Sequence, residues 1–300
     1  MSKPTIICFG EVLWDLLPSG KIAGGAPMNV AYHANQLGLR SLMVSRIGND
    51  DLGQQLLDFL DEKGVATHFV QQDDNVPTGV VNVHLDEKGS PSYEIVQPAA
   101  WDFIAPNDKV SALVGASDAF VFGSLACRNE RSRETLFDLM DAAKLRVLDV
   151  NLRAPFYDKN LLADLLIKAD IVKMNDEELA LISGYWSKAK SMEDQMNFLL
   201  EQFRLETLIV TKGPHGAACL DADGLHEQTG FKVKVKDTIG SGDAFLAAFL
   251  STNLDGASID ESLRFACAIG ALVATKQGGT PVIDEEELDE IYDANDDFDA

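Results

Sequence analysis

Positive charge is scarce in this chain: 25 Lys and Arg stand against 48 Asp and Glu, a formal charge of −23. Capture of a phosphate backbone depends on Lys and Arg displacing counterions, so nucleic acid is not expected as a partner. Cysteine is sparse too. Cys8, Cys127, Cys219 and Cys267 form no CxxC pair and do not cluster with the five histidines. They read as buried free thiols rather than a disulfide framework or a zinc site. The longest apolar stretches, such as that around Ala244 to Leu250, fall far short of the roughly 20 residues that span a bilayer. A secretory leader pattern is also missing, because Lys3 and Pro4 run straight into the strand-like Thr5 to Phe9. The expectation is a soluble, cytoplasmic chain with no membrane partner. Finally, there is no GxxxxGK(S/T) and no GxGxxG directly after a strand, which removes the main support for a dehydrogenase.

What is present is a chain of 300 residues with 46% apolar composition, enough to bury a core as one large α/β domain or two small ones. Ten carboxylates and no Lys or Arg lie in the tail at 284–300, which reads as a solvated acidic segment. It is either unstructured or docked on the body through Leu288, Ile291 and Tyr292. Elsewhere, short β-rich runs alternate with amphipathic stretches, the pattern of parallel βαβ units. Strands are expected at Thr5 to Phe9, Leu42 to Ile47, Ala119 to Phe122, Arg146 to Val150, Ile171 to Met174, Thr207 to Thr211 and Ala217 to Leu220. Helices are expected at Pro27 to Leu37, Leu52 to Lys63, Ser132 to Lys144, Leu161 to Ala169 and Met192 to Phe203. No repeat and no Pro/Gly/Ser-rich linker divides the chain, so residues 1–300 are taken as one domain. The alternation breaks at Gly79 to Val96. There Val81, Val83 and Leu85 share one face of a period-2 strand, Asp86 to Gly89 turns, and Tyr93 and Ile95 return. A lone hairpin is marginal in water, so this one is expected to join another strand, cover a site or meet a second subunit.

The most informative segment is Asp237-Thr-Ile-Gly-Ser-Gly-Asp243, which runs into the all-apolar Ala244 to Leu250. Amides at a helix start, uncovered because Gly240 and Gly242 have no side chain, form an anion site backed by the helix dipole. Asp243 in the first turn is held toward its ionised form, as a general base requires. Amides for developing charge and a carboxylate for a hydroxyl proton suit phosphoryl transfer, although Ser241 and Asp243 also suit ordinary capping. A second segment, Gly24-Gly25-Ala-Pro-Met-Asn29, permits close backbone approach and places the Asn29 amide on a rigid helix. Upstream, Asp15 offers a carboxylate suited to bridging sugar hydroxyls; a plain turn and a surface acid are the alternatives. Asn151 and Arg153 follow one expected strand, and Asn175 and Glu178 another, at the carboxyl ends where open α/β sheets bind ligands. Arg153 suits a phosphate or plain solvent exposure; Glu178 suits Mg²⁺ through water or a helix start. Thr211-Lys-Gly213 with Gly216 reads as a nucleotide loop or a β-turn.

In this order the segments resemble the ribokinase-type carbohydrate kinase family, also called the phosphofructokinase B family. Two separated signatures carry the resemblance, Gly24 to Asn29 and Asp237 to Asp243, joined by Asp149-Val-Asn-Leu-Arg153, Asn175-Asp-Glu-Glu178 and Lys276-Gln-Gly-Gly279. It covers roughly Ile6 to Val282. Within the family it is similar to the fructokinases, on Gly10-Glu-Val-Leu-Trp-Asp15, the Gly-Gly-Ala-Pro run and Tyr93 to Pro98 with Trp101 nearby. The resemblance implies a three-layer, Rossmann-like α/β sandwich with a central mostly parallel sheet. It also implies a small β-sheet lid, formed by about 11–22 and 77–100, that closes over the sugar. It makes Asp243 the base, with Gly240, Ser241 and Gly242 as the anion hole. Asp15, Gly24, Gly25 and Asn29 become sugar contacts, with Arg153 near the transferred phosphate. Asn175, Thr211, Gly213, Gly216 and Cys267 fall in the nucleotide region, and Glu178 at magnesium. Asp237 and Ile239, with backbone of Val273 and Gly278, match a monovalent cation site, K⁺ in expectation. Cys267 stands where some relatives carry an Asn that meets adenine, so ATP is the default donor and GTP stays open. Relatives often pair through the lid, which points to a homodimer.

The resulting expectation is an ATP-dependent kinase making fructose 6-phosphate. A 2-keto-3-deoxygluconate, ribose or nucleoside kinase shares nearly every catalytic residue. An acid sugar calls for extra cations, for which Arg128 and Arg131 are the candidates, and a nucleoside for an aromatic slot, for which Trp14, Trp101 and Phe103 are. A sugar sensor without turnover is opposed by the retained Asp243, because sensing needs no base.

Overall fold

The structure, a computed structural model, describes residues 3–18, 20–85 and 91–296. The chain opens with β1 (Thr5–Phe9), β2 (Leu13–Leu17), β3 (Gly20–Gly24), α1 (Ala26–Gln36), β4 (Arg40–Gly48), α2 (Asp51–Glu62), β5 (Ala66–Asp73), β6 (Gly79–Leu85) and β7 (Pro91–Ile95). It continues through α3 (Asp108–Ala116), β8 (Ala119–Gly123), α4 (Glu130–Ala142), β9 (Arg146–Asp149), α5 (Lys159–Lys168), β10 (Ile171–Asn175), α6 (Asp176–Ser183) and α7 (Met192–Phe203). The last part holds β11 (Thr207–Thr211), β12 (Ala217–Asp221), β13 (Gly224–Gln228), α8 (Ser241–Asn253), α9 (Ile259–Ala274) and α10 (Glu285–Asp296).

Nine strands form one sheet in the order β13-β12-β11-β10-β9-β8-β1-β4-β5, and only the β11–β12 and β12–β13 pairings are antiparallel. Parallel strands covered by helices on both faces read as continuous apolar runs. In β1, Ile6 and Cys8 enter the core beneath α1, α8 and α9, while Ile7 and Phe9 enter the core beneath α4, α5 and α7. Each such fully buried Ile or Phe stabilises the fold by about 1.5–3 kcal/mol. Helix α8 is apolar all round and is buried from Ala244 to Leu250, packed between α1 and α9. All four cysteines are free and buried. Among the described residues no helix is long and apolar enough to cross a membrane.

From β1 the chain moves outward through β4 and β5, then returns to β8 and proceeds outward the other way through β9, β10 and β11. That reversal beside β1 is a topological switch point, which opens a crevice at the carboxyl ends of the strands. The segments after β1, β9, β10 and β11 all start there.

A second, four-stranded sheet has the order β3-β2-β6-β7. The expected hairpin is therefore β6–β7, antiparallel with Val81 opposite Ile95 and Val83 opposite Tyr93, and it gains a parallel partner in β2. Its expected turn at Asp86 to Gly89 lies outside the described residues. The acidic tail docks instead of standing free as far as 296. Ile291 is buried, the Tyr292 ring meets Phe231 edge-on at 5.5 Å, Glu287 pairs with Lys276, and Asn295 Oδ1 accepts the Lys232 amide at 2.9 Å.

One buried ion pair fastens the small sheet to the body. Arg128 donates from Nε and Nη2 to Asp102 at 2.6 and 2.8 Å and from Nη2 to the Val96 carbonyl, just past β7, at 2.9 Å. Its guanidinium stacks 3.8 Å from the Trp101 ring centre and 5.0 Å from that of Phe156. Removing one partner leaves the other charge buried without compensation, so Asp102→Ala is expected to lower the unfolding free energy by about 3–5 kcal/mol. Urea denaturation checks this, and a loss below about 1 kcal/mol contradicts it.

Candidate active site

Helix α8 begins at Gly240, whose φ of 76° is left-handed and whose added Cβ would lie 2.4 Å from the Gly279 carbonyl oxygen. Only glycine fits there. The Ser241 hydroxyl donates to the Gly270 carbonyl at 2.7 Å and its amide to the Thr238 carbonyl at a long 3.3 Å, so the side chain is committed and the amide only weakly so. First-turn amides have no intrahelical partner and carry the positive end of the helix dipole.

Asp243 is buried in that turn. Its Oδ2 accepts from Asn29 Nδ2 at 2.8 Å, which joins the two signature segments across 214 positions of sequence. Burial pushes its carboxyl up to about 6, and the neighbouring Asp149 adds to the rise; Lys173, the Asn29 hydrogen bond and Arg153 oppose it. Lys173 is the residue that the sequence reading missed. It is buried, and its Nζ donates to both oxygens of Asp149 at 3.0 and 3.1 Å. A Cβ on Gly242 would sit 2.9 Å from that ammonium, so Gly242 is glycine in part because a lysine stands against it. Burial lowers the Lys173 pKa, but Asp149, Asp243 and Glu178 together outweigh it and leave the group above its ordinary value. The available signal was a lysine inside Ile171–Asn175, an otherwise apolar strand at the middle of a covered sheet.

The other side of Asp243 is acidic. Glu11, directly after β1, is 3% exposed and its Oε2 has no hydrogen-bond partner. Burial raises its carboxyl to about 7, against its own amide, Arg153 and the Ala26 amide. Asp15 on β2 is raised to about 6 by burial, with Arg153 opposing. Gly24 stands across from it, and a Cβ there would meet Asp15 Oδ2 at 2.7 Å. Gly25, with φ of 119°, passes so close to the Glu11 carbonyl that a Cβ would lie 2.3 Å from it. Arg153 is exposed and donates from Nη1 to the adjacent Leu152 carbonyl at 2.9 Å, while its charge reaches Glu11, Asp15 and Asp243.

Asn175, Thr211, Gly213, Gly216 and Cys267 all line one cavity of about 650 Å³, together with Ser241, Gly242, Phe231, Val233, Val235 and Phe245. Its far wall, Gly230 to Val235, was not anticipated: Phe231, Val233 and Val235 alternate with Lys232 and Lys234 at a strand's period, yet the segment forms no strand. The Cys267 thiol is pushed up to about 12 by burial, which makes it a wall and not a nucleophile. Glu178 closes the capping box of α6: its Oε2 accepts the Asn175 amide at 2.9 Å and its Oε1 accepts the Leu152 amide at 2.7 Å. At the expected cation position, Asp237 accepts the Gly278 amide at 2.9 Å and the Ile239 amide at 3.1 Å. The Val273 carbonyl accepts the Lys276 amide at 2.9 Å. One carboxylate among backbone carbonyls is a donor set of hard oxygens, which suits a small cation. Among the described residues no group of three or more His, Cys, Asp or Glu forms a metal site.

Residues 19–286 match the pfkB family carbohydrate kinase. The chain belongs to that family. It is 30% identical over 311 residues to fructokinase-2 of Solanum habrochaites, covering 94% of both chains. Two solved structures superpose closely. A fructokinase with bound ATP from Xylella fastidiosa has a TM-score of 0.86 at 28% identity, covering 98% of this chain and 100% of that one. The fructokinase of Vibrio cholerae O395 in its fructose, ADP and calcium form has a TM-score of 0.84 at 25% identity, covering 97% and 99%. The pfkB chain is thus a sugar kinase, with a three-layer α/β fold, a large mostly parallel sheet and a small separate one.

The charge balance around Asp243 generates a pH prediction. With Asp243 in the role of a base, which works ionised, activity is expected to fall as pH drops through about 6. Lys173→Met removes a cation that favours the ionised form, so the acid limb of kcat/KM is expected to move up by about one pH unit or more. An unmoved midpoint in a folded variant contradicts the assignment.

Proposed function

We propose that the protein transfers the γ-phosphoryl group of ATP to the primary hydroxyl of fructose, giving fructose 6-phosphate. The observation that carries this is the position of Asp243. It stands at an amide-rich helix start between an acidic polar recess and a cavity of about 650 Å³. In the reaction, the hydroxyl oxygen attacks the γ-phosphorus in line, Asp243 takes the hydroxyl proton, and the bond to the β-phosphate oxygen breaks to release ADP. The Gly240 to Gly242 backbone and Lys173 face the charge that develops on the transferred group. Asp15, Gly24, Gly25 and Asn29 hold sugar hydroxyls, and Arg153 folds in toward the phosphoryl oxygens. Glu178 has lone pairs left over from its two amide bonds and would meet Mg²⁺ through water, where the ion supplies charge neutralisation on the phosphates. Asp237 with the carbonyls of Ile239, Val273 and Gly278 would hold K⁺, which supports the anion hole from behind. The small sheet acts as a lid that excludes water during transfer, and Tyr93, 56% exposed on β7, is the face offered to a second copy. A cytoplasmic setting is part of this reading.

Observations at some of the candidate residues weigh toward fructose over two competing substrates. An acid sugar needs cations, yet Arg128 is committed to Asp102, and the recess presents Glu11, Asp15 and Asp243 with Arg153 as their shared cation. A nucleoside needs an aromatic slot, yet Trp101 is fully buried against Arg128 and the Trp14 indole donates to the Leu52 carbonyl at 3.0 Å.

The test is formation of sugar phosphate from ATP, Mg²⁺ and K⁺ with fructose, ribose, glucose, 2-keto-3-deoxygluconate and adenosine. Preference for fructose is expected; preference for another sugar overturns the substrate and keeps the mechanism. Asp243→Asn is expected to lose about 10²- to 10⁴-fold in turnover. It is also expected to melt at a higher temperature than the parent at pH 7.5. A carboxyl whose folded pKa is raised binds its proton more tightly when folded, so stability declines as pH climbs past the unfolded value toward about 6, and the neutral amide escapes that loss. Retained turnover, or a lowered melting point, refutes this account of Asp243.

A further inference from the structure

Helix α1 is buried, yet one of its faces is polar. Asn29, His33 and Gln36 lie at i, i+4 and i+7, which places them on one side of the helix. Asn29 reaches Asp243. The other two reach the segment 279–283. His33 Nε2 lies 2.9 Å from the Gly279 carbonyl oxygen. Gln36 Nε2 donates to the Pro281 carbonyl at 3.1 Å, and its Oε1 accepts the Ile283 amide at 3.1 Å. A carbonyl only accepts, so His33 carries its proton on Nε2. Its Nδ1 is buried without a partner, and burial pushes the ring down to about 4 even against the Gly279 bond. The side chain is thus a neutral, fully buried donor with one use.

That use bears on the anion hole. The Gly279 carbonyl held by His33 is the same oxygen that a Cβ on Gly240 would strike at 2.4 Å, and a Cβ on Gly279 would strike Asn29 Nδ2 at 2.8 Å. One residue earlier, the Gly278 amide is held from the opposite side by Asp237 at 2.9 Å. The segment is clamped between α1 and the loop before α8, with Gly240 resting on it. We infer that His33 and Gln36 are positioning residues for phosphoryl transfer, fixing the 278–283 strap so that it holds the Gly240 to Gly242 backbone in register with Asp243. The inference rests on the kinase reading above and adds to it two residues that touch neither sugar nor nucleotide.

The experiment compares His33→Leu, which removes the donor at similar volume, with His33→Gln, which restores an N–H. Two readouts are taken: steady-state kinetics on the best sugar of the panel, and hydrogen exchange in the full chain at the Ser241, Ala244 and Gly278 amides, which donate to Thr238, Gly240 and Asp237. A small displacement of a catalytic group costs rate more than binding. The Leu variant is therefore expected to lose roughly tenfold or more in kcat with sugar KM within about twofold, and to exchange those amides faster than the parent. The Gln variant is expected to recover most of both. A Leu variant with parental kcat and parental exchange overturns the inference, as does one whose exchange rises uniformly across the chain, since that marks a general loss of stability. If the parent turns over no sugar, the kinase reading fails by itself. The exchange arm still decides on the strap, because local protection of these bonded amides requires no turnover.

Discussion

One buried ammonium holds the centre of this molecule together. Asp149, Asp243 and Glu178 all lie within the field of Lys173, in a place where an uncompensated carboxylate would take up a proton or push the strands apart. Isolated charges in a protein interior are costly by several kcal/mol each, and the arrangement is tolerable because the ammonium sits among them with two hydrogen bonds to Asp149. Chemistry follows from the same balance. Asp243 is held near the boundary between its neutral and ionised forms, where a carboxylate is basic enough to take a proton and still charged at neutral pH. The glycines of the neighbouring helix start yield their Cβ positions to this ammonium and to the strap behind it, so the apparent softness of Gly-Ser-Gly is steric necessity.

The parallel core was legible because its strands are apolar on both faces and separated by amphipathic helices. Seven of the nine strands in the large sheet fall where the sequence places them, with ends shifted by a residue or two. The two not anticipated, β5 and β13, are the outermost strands. Their exposed sides admit His68, Gln72 and Glu227, and the apolar period weakens accordingly. Helix α9 was passed over for a different reason. Its charged residues Asp260, Glu261 and Arg264 are confined to the first half, and from Phe265 to Ala274 it is an apolar run whose period shows poorly.

In the site, glycines and carboxylates next to a helix start were readable because their spacing carries the chemistry. Asn29 and Asp243 were each visible, but nothing local shows that they touch. Lys173 and Glu11 sit inside or beside strands, where a charge reads as an exception instead of a participant. His33 and Gln36 act on a backbone segment nearly 250 positions away, and sequence pattern holds no trace of a side chain bonded to a distant carbonyl. The wall from Gly230 to Val235 is irregular backbone shaped by what it encloses.

The span of those contacts has a consequence for how the protein is made. The bonds from α1 to Asp243 and Gly279 bridge 214 and 246 positions, so a nascent chain carries the polar face of α1 unanswered until nearly all of it has left the ribosome. Contacts of such long sequence separation form late in folding. A chain truncated before residue 279 keeps every strand of both sheets, but loses both the strap behind Gly240 and the helix α10 that packs Ile291 into the core.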